Sequence, residues 1–146
     1  MKLNNKKIIV WGDSIARGVV LDEQRDRYSI SKSNAATIIQ DSTGATIKNH
    51  SRMGITIKEG VQIQQRDIES GVEADYSLIE FGGNDCDFNW EEVSESPNSV
   101  HDPKTRIDIF ENDLKSMIDA SKKANITPVL VTLPPIDAEA YLEFIS

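Results

Sequence analysis

Three short polar segments of this chain each follow a predicted strand, and their residue types are those that acyl transfer needs. Gly12-Asp13-Ser14-Ile15 follows the apolar run at residues 8–11 and offers a serine hydroxyl. Ser51-Arg52-Met53-Gly54 offers a backbone N–H, and Gly82-Gly83-Asn84-Asp85 offers a side-chain amide. A serine nucleophile with two such donors matches a reaction whose transition state carries an oxyanion.

The elements that must position these segments alternate along the chain. Runs at 7–11, 45–49, 76–81 and 127–133 predict four strands, with the clearest helices at 57–69 and from Asp102-Pro103 to about Asn125. Strands alternating with helices indicate a parallel sheet with right-handed crossovers and helices on both faces. Because ligands of such sheets bind at the carboxyl ends of the strands, the three polar segments should meet at one edge. The predicted fold class is a three-layer α/β/α domain.

The same segments carry a resemblance to a known family. Gly12-Asp13-Ser14-Ile15 resembles the first sequence block of the SGNH (GDSL-type) hydrolases, with isoleucine where leucine is usual. Gly54 matches the second block, and Gly82-Gly83-Asn84-Asp85 matches the third residue for residue. The resemblance covers residues 7–135 and implies a flavodoxin-like sheet. It also implies hydrolysis of short-chain acyl or carbohydrate esters through an acyl-enzyme, with no cofactor and no metal.

The resemblance implies a role for each matched residue. Ser14 would be the nucleophile, and its own N–H would be one oxyanion donor. The N–H of Gly54 would be a second donor, because a residue without a side chain lets its backbone approach the substrate closely. The side-chain amide of Asn84 would be the third. Donors of this kind matter because they meet charge that develops in the transition state.

The family's last block, an Asp-x-x-His that supplies the general base, has no counterpart here. Asp137 is not followed by a histidine, and no histidine comes after His101. We therefore expect an N-terminal portion of a longer hydrolase, without the final strand and helix of the fold. His101, in the polar loop at 85–104, is an alternative base, whereas His50 is expected at the surface. The competing interpretation is a catalytically incompetent fragment, or a ligand-binding module that retains the oxyanion pocket.

Composition narrows the class of partner. The 146 residues form a single domain over 1–146, with a net charge of −8 that argues against binding nucleic acid or anionic membranes. One cysteine, Cys86, and a short N-terminal apolar run favour the cytoplasm.

The acidic residues at 85–92 are expected to be a solvated loop rather than a metal site. Without a following strand, the fourth strand is expected to be an apolar edge through which the chain self-associates.

Overall fold

The computed structural model describes residues 2–145 as a parallel sheet flanked by helices. In chain order the elements are β1 (Lys7–Gly12), α1 (Ser14–Arg17), β2 (Val19–Asp22), β3 (Arg27–Ile30), α2 (Ala35–Thr43), β4 (Thr46–Asn49), α3 (Ile57–Glu69), β5 (Tyr76–Glu80), α4 (Trp90–Glu95), α5 (Ile107–Lys123), β6 (Thr127–Leu130) and α6 (Ala138–Ile145). The predicted alternation of strands and helices is confirmed.

The four-stranded sheet has the order β4-β1-β5-β6, and every neighbouring pair is parallel. From β1 the chain first moves one way to β4 and then returns past β1 to β5. Right-handed crossovers place α2 on the face opposite α3 and α5 when the chain reverses in this manner. The predicted three-layer, flavodoxin-like class is therefore correct. The carboxyl ends of β1 and β5 form the topological switch point, where ligands bind in such sheets.

Burial on both faces explains why β1 is a continuous apolar run. Ile9 and Trp11 point into the main core with residues of α3, β5 and α5, and each is 1% exposed. Ile8 and Val10 point to the opposite face and are also buried. A strand that is covered on both sides has no position for a polar residue until it leaves the sheet. The first polar side chain after the run, Asp13, therefore lies at the sheet edge.

The helix predicted from Asp102-Pro103 begins later, at Ile107. Backbone hydrogen bonds explain the difference, because Lys104 N donates to Asp87 O and Thr105 N donates to Asp85 O. These bonds hold residues 104 and 105 against the loop that follows β5 in a non-helical conformation, so the helix begins after them. The N-cap of this helix is therefore Arg106, four residues after the predicted Asp102.

The segment after α1 forms an antiparallel hairpin of β2 and β3, and the mostly charged residues 23–26 are its exposed turn. The hairpin is a separate two-stranded sheet, and its apolar residues remain about half exposed. Its strands are four residues long and their side chains are not sorted into a buried and a solvent face. The alternation that normally reveals a strand in a sequence is therefore absent.

Candidate active site

A single helical turn holds Ser14 at the carboxyl end of β1. Asp13 caps this turn, and its Oδ1 accepts a hydrogen bond of 2.8 Å from the N–H of Ile15. Gly18 ends the turn with a φ of 78°, which is a left-handed conformation suited to glycine. Ser14 is half-buried in the first turn of α1, where backbone N–H groups have no intrahelical acceptor. Its N–H and its hydroxyl therefore lie at the switch point of the sheet.

Gly12 allows this turn to pack directly on β5. A Cβ atom at this position would lie 2.7 Å from Cβ of Ala16 and 2.8 Å from the carbonyl oxygen of Glu80. Both distances are far below van der Waals contact, and the second partner is backbone that cannot rotate away. The glycine of the first block is therefore needed for close packing between α1 and the end of β5.

Asn84 lies against the Ser14 turn, as the convergence of the strand ends predicts. Its Nδ2 donates to Oδ2 of Asp13 at 3.2 Å and to the carbonyl oxygen of Ile55 at 3.0 Å. Asp13 thus connects the turn that carries Ser14 with the segment that carries Asn84. Both amide hydrogens of Asn84 are engaged, so an oxyanion would have to replace one of these two acceptors.

Gly54 lies in the loop that follows β4, and this loop runs beside the end of β1. His50 N donates to Val10 O, and Arg52 N donates to Gly12 O at 3.1 Å. Gly54 itself is exposed with a φ of 76°, and its N–H donates to no group within residues 2–145. Its Cβ would meet nothing within 4 Å, so the positive φ rather than crowding favours glycine here. The predicted second donor is available to a ligand.

A buried glutamate that the sequence analysis missed completes this edge. Glu80 is the last residue of β5 and is 3% exposed, and its Oε2 accepts from the N–H of Ala16 at 3.3 Å. Its Oε1 is buried with no hydrogen-bond partner among the described residues. Burial and the nearby charge of Asp13 raise the pKa of Glu80 to about 7, and burial also raises the pKa of Asp13. The sequence did contain a signal for this residue, because Glu80 is a charged residue between Ile79 and Phe81 of a predicted buried strand.

No general base contacts Ser14 in the described part of the chain, and its hydroxyl makes no hydrogen bond there. Both ring nitrogens of His101 are held within its own loop, by Glu92 Oε1 at 3.4 Å and Ser96 O at 2.9 Å. His50 Nδ1 lies 2.7 Å from Asp67 Oδ2. This carboxylate oxygen also accepts from the Trp11 indole, while Nε2 of His50 is free of hydrogen bonds to residues 2–145. His50 rather than His101 therefore has an oriented ring with an open nitrogen.

The acidic residues after Asn84 are not simply solvated, contrary to the sequence prediction. Asp85 is 3% exposed and accepts from the N–H of Ile57 at 3.1 and 3.2 Å, so it caps the first turn of α3. Asp87 accepts from the side chains of Trp90, Lys104 and Tyr141, each at 2.8 Å. No group of three or more potential metal ligands is found within the described residues. The cluster organises the loop and connects it to α6.

We expect Asp87→Asn to loosen α6 from this loop. Burial opposes ionisation of Asp87, but hydrogen bonds from Lys104, Tyr141 and Trp90 outweigh it and lower its pKa to about 2. A depressed pKa stabilises the folded state above the ordinary value of 3.8, and this contribution is lost as the pH falls towards 2. In the variant, amide hydrogens of α6 should exchange several-fold faster at neutral pH. The control Asp119→Asn changes an exposed carboxylate of α5 and should not affect α6; equal exchange in all three proteins would contradict the prediction.

Comparison with solved structures places this fold among hydrolases. The lipase/acylhydrolase from Enterococcus faecalis is 21% identical, with a TM-score of 0.65, and the match covers 94% of this chain and 62% of that chain. A carbohydrate acetylesterase family member from Sinorhizobium meliloti is 12% identical, with a TM-score of 0.64 and coverage of 97% and 70%. AlinE4, an SGNH-hydrolase family esterase, is 19% identical, with a TM-score of 0.57 and coverage of 89% and 59%.

Sequence-level comparison adds nothing to this likeness, since no family model and no curated protein matches the chain. The chain spans 59–70% of the length of the three structures named above. At these identities the likeness establishes the fold, which is the α/β fold of the SGNH hydrolases. The chemistry must be argued from the residues of this chain.

Proposed function

We propose that this chain is a serine ester hydrolase of the SGNH type. Ser14 Oγ bonds to the acyl carbon as its proton passes through a general base to the leaving alcohol. Water then hydrolyses the acyl-serine ester to the free acid and regenerates the Ser14 hydroxyl. One observation carries the proposal: Asp13 joins the Ser14 turn to the Asn84 amide at the switch point of the sheet. The first and third blocks of the SGNH pattern therefore meet in space with the residue types that acyl transfer uses.

The three donors would act on the oxyanion that forms when Ser14 attacks. The N–H of Ser14 and the N–H of Gly54 are backbone donors that side-chain motion does not displace. Asn84 would turn one amide hydrogen from Ile55 O or Asp13 towards the oxyanion. Removing one such donor typically costs ~10²–10³ in rate.

The surroundings of the turn support an ester with an apolar acyl group. A cavity of about 490 Å³ lies beside Ile15 and Gly83, and its far side includes Leu133, Pro134 and Leu142. The fold neighbours named above include an acylhydrolase and a member of a carbohydrate acetylesterase family. Short-chain acyl esters, including those of carbohydrates, are therefore the substrates to examine first.

Covalent labelling tests the proposal directly. A fluorophosphonate probe should add once to the wild-type chain, and peptide mass mapping should place the adduct on Ser14. Ser14→Ala should remove the adduct, whereas the control Ser116→Ala changes an exposed serine of α5 and should leave it. An adduct on another residue, or none under conditions that label a known serine esterase, would overturn the proposal.

A second candidate function is a binding module that keeps the oxyanion pocket without turnover. The observation that favours it is the unpartnered Ser14 hydroxyl, because no imidazole contacts it within residues 2–145. Titration with a phosphonate monoester would then shift the amide resonance of Gly54 while no covalent adduct forms. The same titration with Asn84→Ala should weaken binding if the amide contributes to the pocket.

Self-association follows from the free edge of β6. This strand pairs only with β5 in the described sheet, and Val129, Leu130, Val131 and Leu133 remain 39–50% exposed in the presence of α6. We expect a concentration-dependent rise in mass by light scattering, towards twice the monomer value. Val131→Lys should restore the monomer mass, because a charged residue discourages edge pairing. Val100→Lys, in an exposed loop, is the control; a monomeric wild-type chain would contradict the prediction.

None of the helices within residues 2–145 combines the length and apolar character needed to cross a bilayer. We propose a small ester as the ligand, with neither nucleic acid nor membrane as a partner, on the basis of the net charge of −8. Placement in the cytoplasm remains a prediction from the sequence.

A further inference from the structure

A pair of buried carboxyl groups lies directly behind the Ser14 turn, and the proposed reaction gives the pair no role. Asp13 is 1% exposed and Glu80 is 3% exposed. Both side chains accept from neighbouring N–H groups of one helical turn, Asp13 from Ile15 and Glu80 from Ala16. A hydrogen bond between the two carboxyl groups contributes to the pKa shifts of both. Two ionised carboxylates cannot make such a bond, because neither has a proton to donate. A hydrogen bond between them therefore requires one proton.

The other contacts of the pair indicate that Glu80 holds this proton. Both oxygens of Asp13 already accept from N–H groups, Oδ1 from Ile15 and Oδ2 from the Asn84 amide. Glu80 Oε2 accepts a long bond from Ala16, whereas Oε1 is buried without a partner. A buried polar atom without a partner is costly. A proton on the Glu80 carboxyl gives it an O–H that can donate to Asp13, which offsets this cost.

Within residues 2–145, no positively charged group contributes to the pKa shifts of the pair. The charge acting on Glu80 is that of Asp13, and the charge acting on Asp13 from the loop after β5 is that of Asp85. The Arg17 guanidinium of α1 instead donates to the carbonyl of Asn49 at the end of β4. Gly12 and Ala16, the β1 and α1 residues in contact with Glu80, are uncharged. A proton is therefore the available means of lowering the charge of this buried space.

We propose that Glu80 and Asp13 share one proton in the folded protein, and that protonated Glu80 is a positioning residue for the Ser14 turn and the Asn84 amide. Glu80 donates to Asp13, and Asp13 then holds Ile15 N–H on one oxygen and Asn84 Nδ2 on the other. The catalytic consequence rests on the proposed ester hydrolase, but the shared proton is a property of the folded chain alone. When the proton is lost, the Asp13 and Glu80 carboxylates are both negative and repel each other behind the Ser14 turn.

The pH dependence of this arrangement has a definite sign. In the unfolded chain Glu80 ionises near its ordinary pKa of 4.5, while burial and the charge of Asp13 keep it protonated up to about 7 in the folded chain. Between these values the folded state binds more protons, so stability falls as the pH rises. The contribution is complete below 4.5 and is lost as the pH rises through about 7. Asp13, whose pKa is raised by burial, acts in the same direction.

Thermal unfolding from about pH 5 to about pH 8 tests the shared proton without any substrate. Glu80→Gln keeps the size and a donor group but cannot ionise, so its midpoint should not show the wild-type fall over this range. The control Glu111→Gln changes an exposed residue of α5 and should follow the wild type. A wild-type curve that runs parallel to that of Glu80→Gln would overturn the proposal.

Carbon-13 NMR of the glutamate side-chain carboxyls provides a direct measurement on the wild-type chain. One resonance should titrate near pH 7, and comparison with Glu80→Gln should assign it. Titration of every glutamate near its ordinary value would overturn the proposal. This measurement remains decisive even if the variant fails to fold, because the wild-type titration alone gives the answer.

The positioning role is tested by the pH profile of kcat/KM on p-nitrophenyl acetate. Wild-type activity should fall roughly tenfold per pH unit above about 7 as Glu80 ionises, whereas Glu80→Gln should retain its activity there. Glu80→Ala should be impaired at every pH. Identical alkaline limbs for wild type and Glu80→Gln would overturn the positioning role. If wild type shows no hydrolysis, the proposed function fails, while NMR and thermal unfolding still decide whether the proton is shared.

Discussion

Ser14→Ala is expected to lower the hydrolysis of p-nitrophenyl acetate by about 10³-fold or more, because no other hydroxyl can take its place in the acyl-enzyme pathway. The Ser14 side chain makes no hydrogen bond within residues 2–145, and it lies on a turn capped by the side chain of Asp13. Its loss should therefore leave the fold intact. Initial rates with both proteins, together with their thermal unfolding midpoints, check the prediction.

Two histidine variants complete this experiment: His101→Ala is the control, and His50→Ala tests whether His50 is the general base. His101→Ala should leave the rate unchanged, since both ring nitrogens are held within the loop that contains it. His50→Ala examines the imidazole that Asp67 orients and that has an open Nε2. A loss with His50→Ala as large as that with Ser14→Ala would identify His50 as the base. Equal rates for Ser14→Ala and wild type would contradict the hydrolase proposal and favour the binding module.

Asn84→Ala is expected to lower kcat by ~10²–10³ with little change in KM, because an oxyanion donor acts on charge that exists only in the transition state. The measurement is a full saturation curve with p-nitrophenyl acetate for wild type and variant. The same substitution also removes the hydrogen bonds to Asp13 and to Ile55 O. A comparator must therefore separate the loss of a donor from a loosened Ser14 turn.

Asn49→Ala provides that comparator. Asn49 also holds the turn, since its Nδ2 donates to the carbonyl oxygen of Ala16 at 2.8 Å, but it belongs to β4 and is not a predicted oxyanion donor. If a looser turn were the cause, both variants would lose kcat by similar factors. A loss confined to Asn84→Ala assigns the effect to the amide, and equal losses would contradict the assignment.

The structural features that could be predicted are those for which a local sequence pattern is compatible with only one type of element. Apolar runs ended by glycine predicted β1 and β5, because only buried strands tolerate such runs in a parallel sheet. The convergence of Ser14 and Asn84 then followed from sheet topology, and the Asp13 bridge confirms it. The catalytic roles assigned to Ser14, Gly54 and Asn84 remain predictions, because proximity alone does not establish transition-state contacts.

The features that were missed depend on contacts between distant parts of the chain. Asp102-Pro103 is a strong helix start in isolation, yet bonds from Lys104 and Thr105 to the β5 loop delay α5 until Ile107. Local helix propensity does not include a hydrogen-bond acceptor that lies about twenty residues away in the sequence and holds the backbone in another conformation. Likewise, the pairing of His50 with Asp67 is evident only when α3 is placed beside the end of β4.

The contrast between the two tryptophans gives this molecule two optical reporters. Trp11 is 1% exposed in the core and donates to Asp67, the residue that also holds His50. Trp90 is only half-buried, and it contacts Asp87 and the ring of Tyr141. Trp90→Phe would leave a fluorescence signal for global unfolding, whereas Trp11→Phe would leave one for release of α6. Detachment of the last helix could then be followed in time separately from loss of the sheet.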